Sequence, residues 1–386
     1  MTRIKSAVSI LLAAAMLCLF CACAKDNASS APETTFETAT AEPATGQETT
    51  APDETGIDEM IDNMSLEEKV GQMFFVCCPD IGAEEWIKDY HLGGFVLFGR
   101  DFEDKTAAEI KTTIESYQSA SAVPMLIAVD EEGGTVVRVS SNPKLRKTAF
   151  PSPKDVYASG GWDAVNKTEI EKAELLLSLG INVNLAPVCD VTGNADSFMF
   201  DRSFSSDPRE VSTFVAGTVT DDNERGLGVA LKHFPGYGDN TDTHEDMSYD
   251  EKPYIDFVAA DFKPFEAGIA SGAGCVMVAH IIMACVDKTN PASLSENVHK
   301  ILRDELSFDG VIMTDDLSMS AITKYTDGDE AAVAAAKCGN DMICCTDVET
   351  QYPALLSAVK NGDIPEEQIN ASVKRILRWK KKLGLL

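Results

Sequence analysis

A chain of 386 residues with 62 acidic and 33 basic side chains carries a net charge of −29, which excludes nucleic acid as a natural partner because phosphates need a cationic surface. The charge reads as a solubility device and carries no information about substrate. Length alone suggests two domains, yet a closed α/β barrel uses roughly 250 residues or more as one unit, so organisation along the chain has to decide.

The chain opens with Arg3 and Lys5 ahead of an apolar run from Ala7 to Ala22. That run is too short, and too closely followed by polar sequence, for a membrane-spanning helix, so residues 1–22 are expected to be an export leader. It ends Phe20-Cys21-Ala22-Cys23, which resembles a bacterial lipoprotein cleavage box. Cys23 is then the expected lipidation site, and a lipoprotein on the outer face of the cytoplasmic membrane the expected location. Ordinary cleavage and secretion, or an uncleaved anchor, are the alternatives. Residues 24–56 are rich in Thr, Ala, Glu and Pro, with Phe36 the one aromatic. Such a segment cannot bury enough surface to offset its ordering entropy, and is expected to be a disordered tether.

Of 11 cysteines, Cys18, Cys21 and Cys23 belong to this leader region, and Cys77, Cys78, Cys189, Cys275, Cys285, Cys338, Cys344 and Cys345 follow. Most of the latter sit in apolar runs and none forms a CxxC pair, so they are expected to act as small buried hydrophobes rather than as disulfides or zinc ligands.

From residue 57 onward, eight short apolar runs recur, at Met73–Cys78, Gly94–Phe98, Met125–Val129, Ile181–Val188, Gly228–His233, Cys275–His280, Gly310–Thr314 and Asp341–Cys345. Each is followed by a loop and a helix-like stretch, the pattern of parallel strands buried on both faces. Eight such units predict an α/β fold, a single (β/α)8 TIM barrel over residues 57–386. Helix signals agree. Ser65-Leu66-Glu67-Glu68 reads as a capping box. Asp207-Pro208 opens a helix whose Val211, Val215 and Val219 repeat every fourth residue up to Gly226. A further helix is expected over Asp163–Leu179, stopping at Gly180. A closing one begins at Pro365, with Ile369, Val373, Ile376 and Leu377 on one face and basic residues in its last turns.

Barrel chemistry sits where strands give way to the following loops. There the third run ends in Asp130, before Glu131, Glu132 and Arg138; the fourth leads to Asp190 and, in its loop, Arg202. The fifth ends in Lys232-His233 and continues through Gly236-Tyr237-Gly238 to Asp242-Thr243-His244. The sixth ends in His280 and the seventh in Asp315-Asp316. Three of the five histidines of the chain fall in this set. A metal hydrolase is the competing reading, but the usual HxH pair on the first strand is missing, and Asp242-x-His244 lies in a glycine-rich loop. No metal and no cofactor is expected.

These residues carry a resemblance. Lys232-His233-Phe234-Pro235-Gly236-Tyr237-Gly238 with Asp242-Thr243-His244, Val311 to Met319 around Asp315-Asp316, Asp130 to Gly134 with Arg138, and Asn184 to Val188 resemble the bacterial β-N-acetylglucosaminidase branch of glycoside hydrolase family three. Two features depart from it: the spacing from Gly238 to Asp242 is one residue shorter than in many relatives, and Tyr237 stands where histidine is common. The resemblance implies a retaining, exo-acting glycosidase with Asp315 as the nucleophile that forms a glycosyl-enzyme. It implies His244 as acid/base oriented by Asp242, and Asp130, Arg138, Arg202, Lys232 and His233 around the terminal sugar, with Asp190 and His280 in support. The implied partner is a glycan or muropeptide ending in N-acetylglucosamine, bound by a monomer. Two alternatives remain open at this stage: a phosphorylase with the same site, since a histidine acid/base does not repel phosphate, and a non-catalytic wall-binding lipoprotein.

Overall fold

The computed structural model describes residues 54, 56–243, 247–326 and 330–386. The expected leader, Cys23, nearly all of the expected tether and His244 lie outside the described residues.

All eight expected strands form. In chain order they are β1 (Phe74–Cys77), β2 (Gly94–Leu97), β3 (Leu126–Val129), β4 (Val183–Asn184), β5 (Gly228–Phe234), β6 (Cys275–Val278), β7 (Val311–Thr314) and β8 (Ile343–Cys345). Neighbours pair in parallel, with β8 joined to β1 and the rest in sequence order as far as β7. The two ends meet through a parallel bridge between Met313 and Met342, where the Thr314 amide donates to the Met342 carbonyl at 3.2 Å, closing the barrel. Every strand residue is buried, as expected of strands covered on one side by helices and on the other by barrel interior. β4 is shorter than its apolar run. Pro187 has no N–H to give to a ladder, and the Asn184 side chain turns instead to the backbone of Glu131, accepting from its N–H at 3.0 Å and donating to its carbonyl at 3.2 Å.

The helix signals are realised with one shift of boundary. Ser65 and Glu68 cap each other reciprocally at the start of Leu66–Gln72, and Asp207 caps Pro208–Arg225, which stops at a left-handed Gly226. The helix expected from Asp163 begins ten residues earlier, at Pro153, capped by Ser152 and broken at Gly161. Two adjacent glycines hid the first half, because a helical period cannot be followed across them. The expected tether also ends sooner than residue 56: Glu54 already meets Lys374 at 2.8 Å and pairs with Arg378 on the closing helix.

That closing helix, Glu366–Lys382, packs its far end against the N-terminal ends of the strands. Trp379 lies so close to Gly228 and Gly274 that a Cβ there would come within 3.1 and 2.2 Å of its ring, which is why both positions are glycine. Next to it Lys380 is fully buried and donates to Gln72 Oε1 at 2.7 Å. Burial drives its ammonium pKa down to about 7. Between that value and the ordinary lysine range the unfolded chain holds a proton that the folded chain has shed, so stability rises with pH across that window; below it the penalty is complete. Lys380→Met is therefore expected to stabilise the protein at pH 7, by on the order of 1–2 kcal/mol once the orphaned Gln72 oxygen is discounted. The gain should fade towards pH 10. Urea unfolding at the two pH values checks this, and a gain equal at both would contradict it.

Candidate active site

The C-terminal ends of the strands surround a cavity of about 500 Å³. Its wall includes Asp130 from the end of β3, Arg138 from the next loop, Arg202 from the loop after β4, Lys232 and His233 from β5, and Asp315 and Asp316 from the end of β7. The sugar-contacting set expected from sequence and the expected nucleophile thus converge on one space. Asp242 is not among the lining residues, although it adds, with Asp315, to the negative charge felt by the Tyr237 phenol. A larger cavity of about 640 Å³ lies at the opposite end, between Trp379, Phe308 and the basic turns of the closing helix. It opens at the N-terminal ends of the strands, where barrels carry no chemistry.

The polar wall is a continuous chain of charge. Lys232 Nζ stands 2.6 Å from both Asp130 Oδ1 and Glu132 Oε1. Glu132 also takes a two-pronged contact from Arg202, at 2.7 and 2.9 Å. Arg202 Nη2 reaches His233 Nε2 at 3.2 Å, and His233 Nδ1 lies 2.7 Å from Asp190 Oδ2. A guanidinium can only donate, so Nε2 accepts and the imidazole proton sits on Nδ1, facing Asp190. Asp190 uses its second oxygen to accept from the Tyr237 N–H at 2.7 Å. Burial by itself would raise the Glu132 carboxyl, but Lys232 and Arg202 overcome it and hold the group far below the usual carboxylate range. Burial would likewise lower Lys232, and Asp130 with Glu132 raises it instead.

Sequence reasoning passed over Glu132, the residue that joins the two cations, and its neighbour Glu131. Glu131 is fully buried and accepts from the backbone of Arg138 at 2.8 Å, Val139 at 2.7 Å and Ser140 at 3.2 Å, and from the Ser140 hydroxyl. It thereby folds the loop back so that Arg138 reaches Asp130 at 3.7 Å. Arg138 Nε is buried with no hydrogen-bond partner among the described residues. The signal was present as two consecutive acids after a strand, but a run of acids carries no sign of which one turns inward.

On the other side, Asp315 follows β7 directly, its amide donating to the Val278 carbonyl at 3.0 Å and its Oδ1 accepting from the Asp316 amide at 2.9 Å. Asp316 holds the turn: Oδ1 accepts from Ser318 N–H at 2.9 Å and Oδ2 from the Thr346 hydroxyl at 3.0 Å. Fully buried His280 lies with Nε2 2.9 Å from the Asp316 carbonyl and Nδ1 2.7 Å from the Ser293 hydroxyl, so Nε2 carries the proton. Tyr237 braces the glycine-rich loop. Its ring is buried against Phe198 and His233, and its hydroxyl bonds Thr243, one residue before His244. Gly236 and Gly238 carry positive φ of 116° and 53° on either side of it.

A (β/α)8 barrel with a carboxylate at the end of β7 and a charged, donor-rich wall lining the same cavity has the layout of a barrel enzyme's active site. The family profile described as "Glycosyl hydrolase family 3 N terminal domain" matches residues 65–379, and the chain belongs to that family. It is 34% identical over 247 residues to a beta-hexosaminidase of Xylella fastidiosa, covering 62% of this chain and 71% of that one. Among solved structures it is similar to a family 3 beta-N-acetylglucosaminidase from Paenibacillus (TM-score 0.78, 32% identity, 83% of this chain). It spans only 63% of that Paenibacillus chain. A beta-N-acetylhexosaminidase from Beutenbergia cavernae matches with TM-score 0.72 and 26% identity, over 82% of this chain and 98% of its own.

Because Glu132 is the sole carboxylate bonded to both Lys232 and Arg202 among the described residues, Glu132→Gln leaves buried cations facing an amide. The expected cost is roughly 3–5 kcal/mol of stability, read as a lower urea midpoint; a change within experimental error would show that the network is not what holds this wall.

Proposed function

We propose that the protein is an exo-acting, retaining β-N-acetylglucosaminidase that removes terminal β-linked N-acetylglucosamine from peptidoglycan fragments or related glycans. The observation that carries the reading is the shared cavity: Asp315 faces the same space as Asp130, Arg138, Arg202, Lys232 and His233. In this reading the charged wall holds the hydroxyls of the terminal sugar and fixes the ring over Asp315. The Asp315 carboxylate attacks the anomeric carbon and forms a glycosyl-enzyme, which water then resolves. His244 donates the proton to the departing oxygen and withdraws one from the water, with Asp242 steadying the imidazolium. The names of the Paenibacillus and Beutenbergia relatives support the N-acetyl sugar, and that of the Xylella relative supports a hexosaminide. Export as a lipoprotein through Cys23 would bring the enzyme to wall material outside the membrane.

A chromogenic N-acetylglucosaminide should be cleaved faster than the matching glucoside, and Asp315→Ala should lower kcat by at least about a thousandfold with the fold intact. Full activity in that variant would sink the assignment of Asp315. Running the reaction on purified muropeptides in phosphate buffer tests sugar, linkage and acceptor together. Free N-acetylglucosamine is the expected product, and a sugar 1-phosphate would identify a phosphorylase instead.

The brace on the loop gives a second expectation. Tyr237→Phe keeps the buried ring and removes only the bond to Thr243, so kcat should fall several-fold, on the order of 1 kcal/mol of barrel-to-loop coupling, while KM barely moves. A change in KM alone would assign Tyr237 to sugar binding.

A further inference from the structure

The wall of the cavity away from the charged chain is built of sulfur. Cys77 at the end of β1 and Cys344 on β8 both line it, as do Met277 on β6 and Met319 in the turn after Asp315. Cys77 and Cys344 stand on neighbouring strands of the same cavity wall, and Cys77 Sγ lies 3.6 Å from Asp316 Oδ2. None of the four residues is needed for the proposed chemistry at the sugar, and apolar side chains would fill the same volume. The pairing register sets Cys344 opposite Phe75, so Cys77 is a diagonal neighbour two residues further along β1. Cα atoms so placed are roughly 7–8 Å apart, too far for a disulfide without movement of the backbone, whereas an ion held between two sulfurs spans the gap.

We propose that Cys77 and Cys344 form a binding site for a soft monovalent cation of the copper(I) or silver(I) type, in a cavity that Met277 and Met319 also line, and that its occupation blocks the glycosidase cavity. Thiolate and thioether donors select such ions over hard ones. Among the described residues no three His, Cys, Asp or Glu side chains are arranged to hold one ion; the ion must therefore be content with few ligands, as this class is. The cation displaces one proton, which leaves to solvent, so that one thiolate and one thiol bind it and the site stays neutral beside the carboxylates. An ion on Cys77 takes away its contact with Asp316, the residue that holds the turn carrying Asp315, and fills the floor on which the sugar would rest. The blocking step rests on the reading of the cavity as a glycosidase site; the binding step does not.

The test uses the full chain, reduced, in chloride-free buffer, titrated with silver nitrate. Silver–thiolate absorbance reads binding without any turnover: the Cys77→Ser/Cys344→Ser variant should take up one equivalent less than the unaltered protein, and equal uptake overturns the site. Against its own silver-free rate, that variant should need at least tenfold more silver for half inhibition, whereas Cys285→Ser, which removes an exposed thiol, should be as sensitive as the unaltered protein. Resistance gained from Cys285→Ser alone, or none gained from the double variant, refutes the block. Should the double variant fail to fold, N-acetylglucosamine added to the unaltered protein should slow inactivation by silver several-fold, and no protection would count against the proposal.

Discussion

The Lys232 ammonium is the group on which the mouth of the barrel depends. It is buried at the end of β5, and an unpaired cation there would be ruinous. Asp130 from β3 and Glu132 from the following loop neutralise it, and Glu132 in turn requires Arg202, which arrives on the loop after β4. No member can be removed without leaving a charge in a low-dielectric site, so the chain fixes three successive strand ends relative to one another. Geometric precision on this side of the cavity is thus obtained from electrostatics rather than from packing. The apolar layers beneath supply the rigid frame on which such a network can be held.

The cavity divides into halves of different character. Strands β3 to β5 present fixed charges and oriented donors, while β6, β8 and β1 present methionine and cysteine, soft and polarisable. Asp315 stands on β7, inside the sulfur-lined arc and facing the charged wall. Its turn is set by the buried His280 on its carbonyl side, by Ser318 within the turn and by Thr346 after β8, both of which donate to Asp316. The glycine-rich loop that leads to His244 is tied to the same frame through Asp190, Tyr237 and Thr243, and Ala321 after β7 donates to the Thr243 carbonyl at 3.3 Å. Tyr237 is therefore a strut between His233 and Thr243 of the glycine-rich loop.

Much of this was legible in the chain. Apolar runs of four to eight residues separated by helical patterns announced every strand, since burial on both faces leaves no polar alternation to confuse them. Candidate residues at strand ends followed from the rule that barrels act at that end, and the cavity gathers Asp130, Arg138, Arg202, Lys232, His233, Asp315 and Asp316, while Asp190, Asp242 and His280 are not among its lining residues. The cysteines proved to be small buried side chains as expected, apart from exposed Cys285. Other features were not legible. The break at Gly161 concealed the start of a long helix, and Lys380 read as one more basic residue in a last turn although it is buried.

By itself the sequence determined which segments become strands and helices and which side chains stand at the barrel mouth, because periodicity, capping and turn chemistry are local. Only the tertiary structure decided which carboxylate meets which cation. Glu131 and Glu132 are adjacent and chemically alike, yet one clamps a loop backbone and the other bridges two cations. Likewise, Cys77 and Cys344 lie 267 residues apart, and only closure of β8 onto β1 brings both onto one cavity wall. Coulomb and ligand interactions act over a few ångströms of space, and separation along the chain carries no record of that distance.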